Sequence, residues 1–257
     1  MPIALPLALL WVLLVLFVAA IVAFRIRNNG VVDIAWGIAI GGATLVAYFA
    51  SPHATLRMAL MTTLVLIWAT RLSVRIYLRN RGRAEDSRYA AWRVAWGRSF
   101  FWRSILQIYV LQGVIACVVL LPALIVNSAG GPALGGVGIL ALSLWGIGFF
   151  FEARADYELD RFTSNPTNRG QLYTSGLFAY SRHPNYFGEA LMWFALALLA
   201  LPIEPFGLLA FLSPILLTFL LLRVSGVPMA EVRLQGNPVF EEYRARTSAF
   251  LPLPPRT

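Results

Sequence analysis

Charge is scarce in this chain, and so are the residues that staple small proteins or bind metals. Only 13% of its 257 residues are charged and 59% are hydrophobic, where a soluble domain carries about 25% and about 45–50%. The one cysteine, Cys117, excludes an internal disulfide and any cysteine-based metal centre. Two histidines, His53 and His183, leave no zinc site to expect. No basic residue precedes Arg25, so residues 3–24 lack the charged start of a secretory signal and read as a retained membrane helix. Lysine is absent altogether: all 21 basic residues are arginine. That bias follows from GC-rich arginine codons, and also from the fit of guanidinium forks to phosphates.

What the chain does have is long apolar runs. A bilayer core about 30 Å thick takes about 20 apolar residues in a helix. Seven segments qualify, over 3–24, 31–50, 58–77, 105–126, 134–151, 186–201 and 206–222. The sixth is long enough only if it begins near Tyr186, within polar residues. Pro202-Ile203-Glu204-Pro205 joins the last two as a tight turn. The expected fold is an all-α polytopic membrane protein, one integral domain over 1–257 with seven transmembrane helices and a tail over 223–257. Every arginine except Arg57 falls after an odd-numbered span or, like Arg71 and Arg75, towards the end of one, which places the N-terminus outside and the C-terminus in the cytoplasm. The net charge of +9 is then the inner face of a bacterial inner-membrane protein, with no nucleic acid implied. A diffusible polar cofactor would reach only these inner segments. Nothing in the sequence is incompatible with a monomer.

Between the third and fourth spans, Tyr89, Trp92, Trp96 and Phe100 form one aromatic stripe among the arginines of 81–103. This is the pattern of a helix lying in the interface, or of a lid over a lipid-like substrate. Two charged ladders flank the inner helix ends: Arg71, Arg75 and Arg79, and Glu152, Asp156 and Asp160. Like charges four apart repel. Either the ladders neutralise one another, or the arginines hold a pyrophosphate while the acids accept from a ribose or an amide.

The segment Arg182-His183-Pro184-Asn185-Tyr186-Phe187-Gly188-Glu189 is more specific. Pro184 starts a helix and keeps His183 extended. Asn185 and Glu189 share one face, and Gly188 leaves room for a ligand or a neighbouring helix. An ionised acid at the head of an apolar run is costly enough to imply a partner and a function.

With Gly176-Leu177-Phe178 before it and the ending Tyr243…Thr247-Ser248-Ala249-Phe250-Leu251-Pro252, this segment resembles the bacterial relatives of steroid 5α-reductase (3-oxo-5α-steroid 4-dehydrogenase). The resemblance is sharp over 153–252. It implies NADPH as cofactor, with Asn185 and Glu189 at its nicotinamide end, Asp156 and Arg223 as further contacts, and Arg182, His183 and Tyr186 from the shared core. The steroid enzymes carry a histidine and a tyrosine where Val227 and Glu231 align; by looser similarity to sterol reductases, Glu231 and Tyr243 substitute. They also carry a Gln-Glu pair in the second span that is missing here. Asp33 is the nearest replacement: burial disfavours its charged form, and a neutral carboxyl can donate to a substrate carbonyl. An alternative use of Asp33 is as a cap, or as a partner of the basic ladder. Tyr77 is the second catalytic candidate, followed by Tyr157 and Trp68. The implied reaction is reduction of the C=C bond of a lipophilic enone that enters from the bilayer. Isoprenylcysteine methyltransferases, which use S-adenosylmethionine, share the Arg-His-Pro-x-Tyr core and supply the alternative. A lipid-binding scaffold is the non-enzymatic one.

Overall fold

The computed structural model describes residues 3–256, which are helical with no strand assigned. The helices are α1 (Ala4–Ile26), α2 (Val31–Phe49), α3 (Leu56–Asn80), α4 (Ser87–Trp96), α5 (Phe100–Ser104), α6 (Leu111–Val119), α7 (Leu121–Ala129), α8 (Gly135–Ser164), α9 (Pro184–Ala200), α10 (Leu212–Phe219), α11 (Val227–Glu231) and α12 (Pro238–Arg246). Among the described residues, six helical runs are long and apolar enough to cross a membrane: Ala4–Ile26, Val31–Phe49, Leu56–Asn80, Ser87–Val119, Gly135–Ser164 and Gly207–Glu231. The protein is therefore a polytopic integral membrane protein. The segment expected as the sixth span is helical, as α9, but its 17 residues make it shorter than those six runs; Pro184 takes its first position, where a missing N–H costs nothing.

Three boundaries differ from the expected ones for local reasons. Segment 81–103 is not divided from the following span by a loop. Its helix α4 passes through a 3₁₀ turn at Gly97–Ser99, with Gly97 at φ +47, then α5 and a π turn at Ile105–Val110, into α6. The span expected over 105–126 is interrupted after Val119, two residues before Pro122, which has no N–H to continue the ladder. Helix α8 runs 13 residues past the expected end at 151, to Ser164. At 1.5 Å per residue its 30 residues extend about 45 Å, well beyond the hydrocarbon.

The chain forms two compact units. One holds the described residues up to Leu134 together with Leu199–Leu212. In it α2 and α3 meet through small residues: a Cβ at Gly37 would lie 2.4 Å from Ser73 Oγ, and Ser73 Oγ donates to the Ile34 carbonyl at 2.9 Å. Close backbone approach of this kind is how helices associate in lipid. Asn127 on α7, fully buried, ties the same helices, donating to the Thr44 carbonyl at 3.0 Å and lying 3.1 Å from Thr62 Oγ1. The one arginine outside the charge asymmetry is used as glue. Arg57 is 2% exposed and donates to the carbonyls of Pro132 (3.0 Å), Ala133 (2.9 Å) and Leu199. Leu199 lies in the last turn of α9, where carbonyls carry the negative end of the helix dipole.

The second unit holds Gly135–Leu198 and the chain from Ser213 onward. Its C-terminal segment straps back onto the residues that precede α9. The N–H of Arg182 donates to the Ser248 carbonyl (2.8 Å), Ser181 Oγ to the Phe250 carbonyl (2.9 Å), and the Leu253 N–H to the Tyr180 carbonyl (3.0 Å). The two sequence motifs, about 65 residues apart in the chain, are thus one structure.

Candidate functional site

The site of interest in the second unit is built on a helix crossing. Gly148 on α8 faces Gly188 on α9: a Cβ at Gly188 would lie 2.4 Å from the Gly148 carbonyl oxygen and 2.5 Å from the Glu152 nitrogen. The room left by Gly188 is filled by a helix backbone. That contact brings the acidic ladder under α9. Asp156, buried, accepts from Asn185 Nδ2 at 3.2 Å, and Glu152 is buried one turn earlier. The bond fixes the Asn185 amide, turning its nitrogen to Asp156 and leaving its oxygen to accept. Glu189 is half-buried one turn further along α9. Asp160 is exposed on the water-directed part of α8.

A second nucleus forms where α9 begins. Glu231, at the end of α11, accepts from Arg182 Nε at 2.8 Å, and His183 Nε2 lies 2.9 Å from the same oxygen. Arg182 Nη2 reaches the other oxygen at 3.4 Å, and Nη1 donates to the carbonyls of Thr247 (2.6 Å) and Arg244 (3.2 Å). Arg182 and Glu231 side chains are 9% and 10% exposed. The Arg182 guanidinium, which the resemblance implies as a cofactor contact, is thus engaged on all three nitrogens within the chain. His183 stacks on Tyr186 with ring centroids 5.0 Å apart and planes within 8°. Tyr243 on α12 donates its hydroxyl to the Phe178 carbonyl. Burial pushes this phenol above its ordinary value, the nearby Glu231 charge adds to the rise and Arg182 opposes it, so Tyr243 stays a neutral donor. Arg223 is exposed, with no hydrogen bond or ion pair among the described residues.

The catalytic candidates belong to the first unit. Asp33, in the first turn of α2, accepts from the Tyr89 hydroxyl at 2.8 Å and from Arg88 Nη2 at 3.4 Å. Each carboxylate oxygen of Asp33 thus accepts from one of the two side chains. The surrounding groups continue the clamp: Glu85 takes the Asn29 N–H (2.8 Å) and both Arg93 Nε and Nη2 (3.0 and 2.8 Å), and Tyr109 donates to Asn29 Oδ1 (2.9 Å). The aromatic stripe is one packed column, with Trp92 and Trp96 stacked at 5.3 Å. Tyr77 is 50% exposed near the end of α3, Tyr157 is exposed on α8, and Trp68 is buried on α3. The basic ladder lies on α3, in a different unit from the acidic one.

One feature of the second unit was not read from the sequence. Arg154, Tyr157, Glu158 and Arg161 share the face of α8 opposite to Asp156, and with Asn165, Asn168 and Tyr173 they line a groove of about 400 Å³. Glu158 pairs with Arg154 at 2.7 Å and takes the Leu177 N–H at 3.0 Å, while Arg161 keeps its guanidinium exposed. The i, i+3, i+4, i+7 spacing of these four residues was the available signal.

A family model described as "Protein of unknown function (DUF1295)" matches residues 19–247. An uncharacterized protein of the fission yeast Schizosaccharomyces pombe, C594.04c, is 28% identical over 77% of this chain. The chain spans 64% of that relative's length. No solved structure matches.

Proposed function

The chain belongs to the DUF1295 family, and from that premise we propose that it is an NADPH-dependent reductase of the C=C bond of a lipophilic enone, such as a 3-oxo-Δ4-steroid. The observation that carries this reading is the Gly148–Gly188 crossing, which sets a buried carboxylate against an oriented carboxamide at the head of α9.

The donor set fits a nicotinamide nucleotide in kind. A carboxamide needs one donor and one acceptor opposite it, and Asn185, held by Asp156, offers its oxygen as the acceptor. Glu189 lies on the same face of α9, beside it. When bound, NADPH supplies the hydride that the enone takes up at its β-carbon. The chain's residues supply position and charge. Arg182, His183, Glu231 and Tyr243 fasten the head of α9 to the C-terminal strap and hold Asn185 in place, so Arg182 is a positioning residue. Tyr186 is steadied by its stack on His183. Among the cations whose side chains have no partner in the described residues, Arg223 and Arg161 are available to the phosphates. We assign the substrate's carbonyl end to Asp33 with its Tyr89 bond, and secondarily to Tyr77. The N-terminus is placed outside and α9 is counted as the sixth of seven spans, with the cofactor side facing the cytoplasm.

The test is NADPH binding and turnover by the full chain in detergent. A thermal shift with NADPH, lost in Asn185→Ala and Glu189→Ala, and enone-dependent absorbance loss at the reduced-nicotinamide band are expected. No shift together with no stimulated oxidation by any enone refutes the reductase reading. Methylated product from S-adenosylmethionine instead would establish the isoprenylcysteine methyltransferase type.

A further inference from the structure

The first unit carries a groove that none of this chemistry uses. It lies between α1 and the helix formed by the π turn at Ile105–Val110 and α6, and holds about 610 Å³. Val12, Leu16 and Ala20, buried and four apart, are its floor on α1, with Tyr109 and Gly113 opposite. A Cβ at Gly113 would come 3.2 Å from Leu16 Cδ1, so this glycine sets how closely the two walls approach. Leu13, Phe17, Val110 and Val114 stand exposed along the rims.

Two independent features define what fits there. The lining is hydrocarbon on helices that cross the bilayer, so the occupant is a hydrocarbon chain rather than a polar solute. The floor from Val12 to Ala20 is about 12 Å long at the helical rise, close to the roughly 15 Å of one leaflet's hydrocarbon. The second feature is charge at one end only. Phe24 meets Phe101 at 4.9 Å and Tyr109 at 6.2 Å, which sets the register of the two helices at the groove's end. Arg25 and Arg27 follow Phe24, and Arg103 follows Phe101. All three are exposed, and their guanidinium groups make no ion pair or hydrogen bond among the described residues. No acid lines the groove.

We propose that this groove seats an acyl chain of an anionic phospholipid, with the headgroup phosphate held by Arg25, Arg27 and Arg103. A sterol or a neutral lipid fills the same hydrocarbon space but gives the three guanidinium groups nothing to bind. Free inorganic phosphate shares the headgroup chemistry without the chain. The site is independent of the reductase reading, since no residue of that reading lies in it.

The experiment is native mass spectrometry of the full chain in detergent after incubation with dioleoyl phosphatidylglycerol or dioleoyl phosphatidylcholine. Phosphatidylglycerol adducts are expected to outlast phosphatidylcholine adducts. The triple variant Arg25→Gln, Arg27→Gln, Arg103→Gln should weaken phosphatidylglycerol retention by about tenfold or more. Val114→Trp, placed on an exposed rim where folding is not at stake, should reduce retention by filling the groove, and excess inorganic phosphate should leave the adduct in place. Equal retention of the two lipids, indifference to both variants, or displacement by phosphate alone would overturn the proposal.

Discussion

Glu231 holds two basic side chains at once, and both are nearly out of water. A buried ion pair adds little net stability, but removing one partner leaves the other charge uncompensated, at a cost of about 3–5 kcal/mol. Glu231→Gln should therefore lower the unfolding free energy of the purified protein by that order, read from denaturant or thermal unfolding in detergent. A midpoint within error of the parent would show that Arg182 does not depend on this carboxylate. Arg57 presents the complementary case: a buried cation held by three carbonyl oxygens rather than by an acid. Hydrogen bonds to a charged group contribute about 1.5–3 kcal/mol. Arg57→Met, which keeps the stem and removes every donor, should destabilise by about 3 kcal/mol or more in the same assay. Asn185 and Glu189 were singled out by residue type and spacing, because polar groups at the head of an apolar helix are expensive; Asp156 stood out in its ladder, and Glu231 only through the resemblance. The engagement of Arg182 was not. Its partners lie 49–66 residues away in the chain, and no periodicity encodes such a distance.

Elements meet here through glycine. At the α8–α9 crossing a side chain at position 188 would press on the backbone of α8, not on a flexible tip. Overpacking of this kind costs about 1–3 kcal/mol when neighbours can shift, and two helix backbones shift little. Gly188→Val should cost more than that range and should also abolish the NADPH thermal shift, because it parts Asp156 from Asn185; a stable variant with normal cofactor response would remove the crossing from the argument. Gly188 was legible within its motif. Gly148 was not, since glycine is common in membrane helices, although Gly148, Glu152 and Asp156 recur every four residues and so mark one face. The start of α4 depends on Asp86, whose carboxylate caps the Arg88 N–H at 2.9 Å and pairs with Arg88 Nε at 2.9 Å. Burial alone would raise its pKa, but the Arg88 bonds outweigh it and hold the carboxyl below its ordinary value. A depressed acid stabilises the fold at neutral pH, and that contribution is lost as pH falls below the carboxylate range. Asp86→Ala should cost about 0.5–2 kcal/mol at pH 7, and a proportionately smaller amount near pH 3.

At the scale of the whole molecule, two arginines tie the ends of α9 to elements whose side of the membrane the charge pattern assigns. Arg57, at the start of α3, bonds the Leu199 carbonyl in the last turn of α9. Arg182, just before α9, bonds Glu231 and Thr247, which follow the helical run Gly207–Glu231 or end it. The start of α9 and the end of that run therefore share one side, and the far end of α9 shares the side on which α3 begins. A helix of 17 residues extends about 26 Å, somewhat short of a hydrocarbon core about 30 Å thick. Crossing together with the six long helices, this short one would make seven spans and put the termini on opposite faces. The parity rests on the arginine count, and the shortness of α9 was already visible in the brevity of its apolar run. The prediction is a labelling pattern. In a Cys117→Ala background, Gly136→Cys lies at the first turn of α8, with open space around it. Arg169→Cys lies beyond the other end of the same helix, exposed. A membrane-impermeant maleimide should label Gly136→Cys in intact cells and Arg169→Cys only after permeabilisation. The reverse pattern would invert the molecule and move the proposed cofactor pocket away from its nucleotide supply; labelling of both from outside would mean that α8 does not cross.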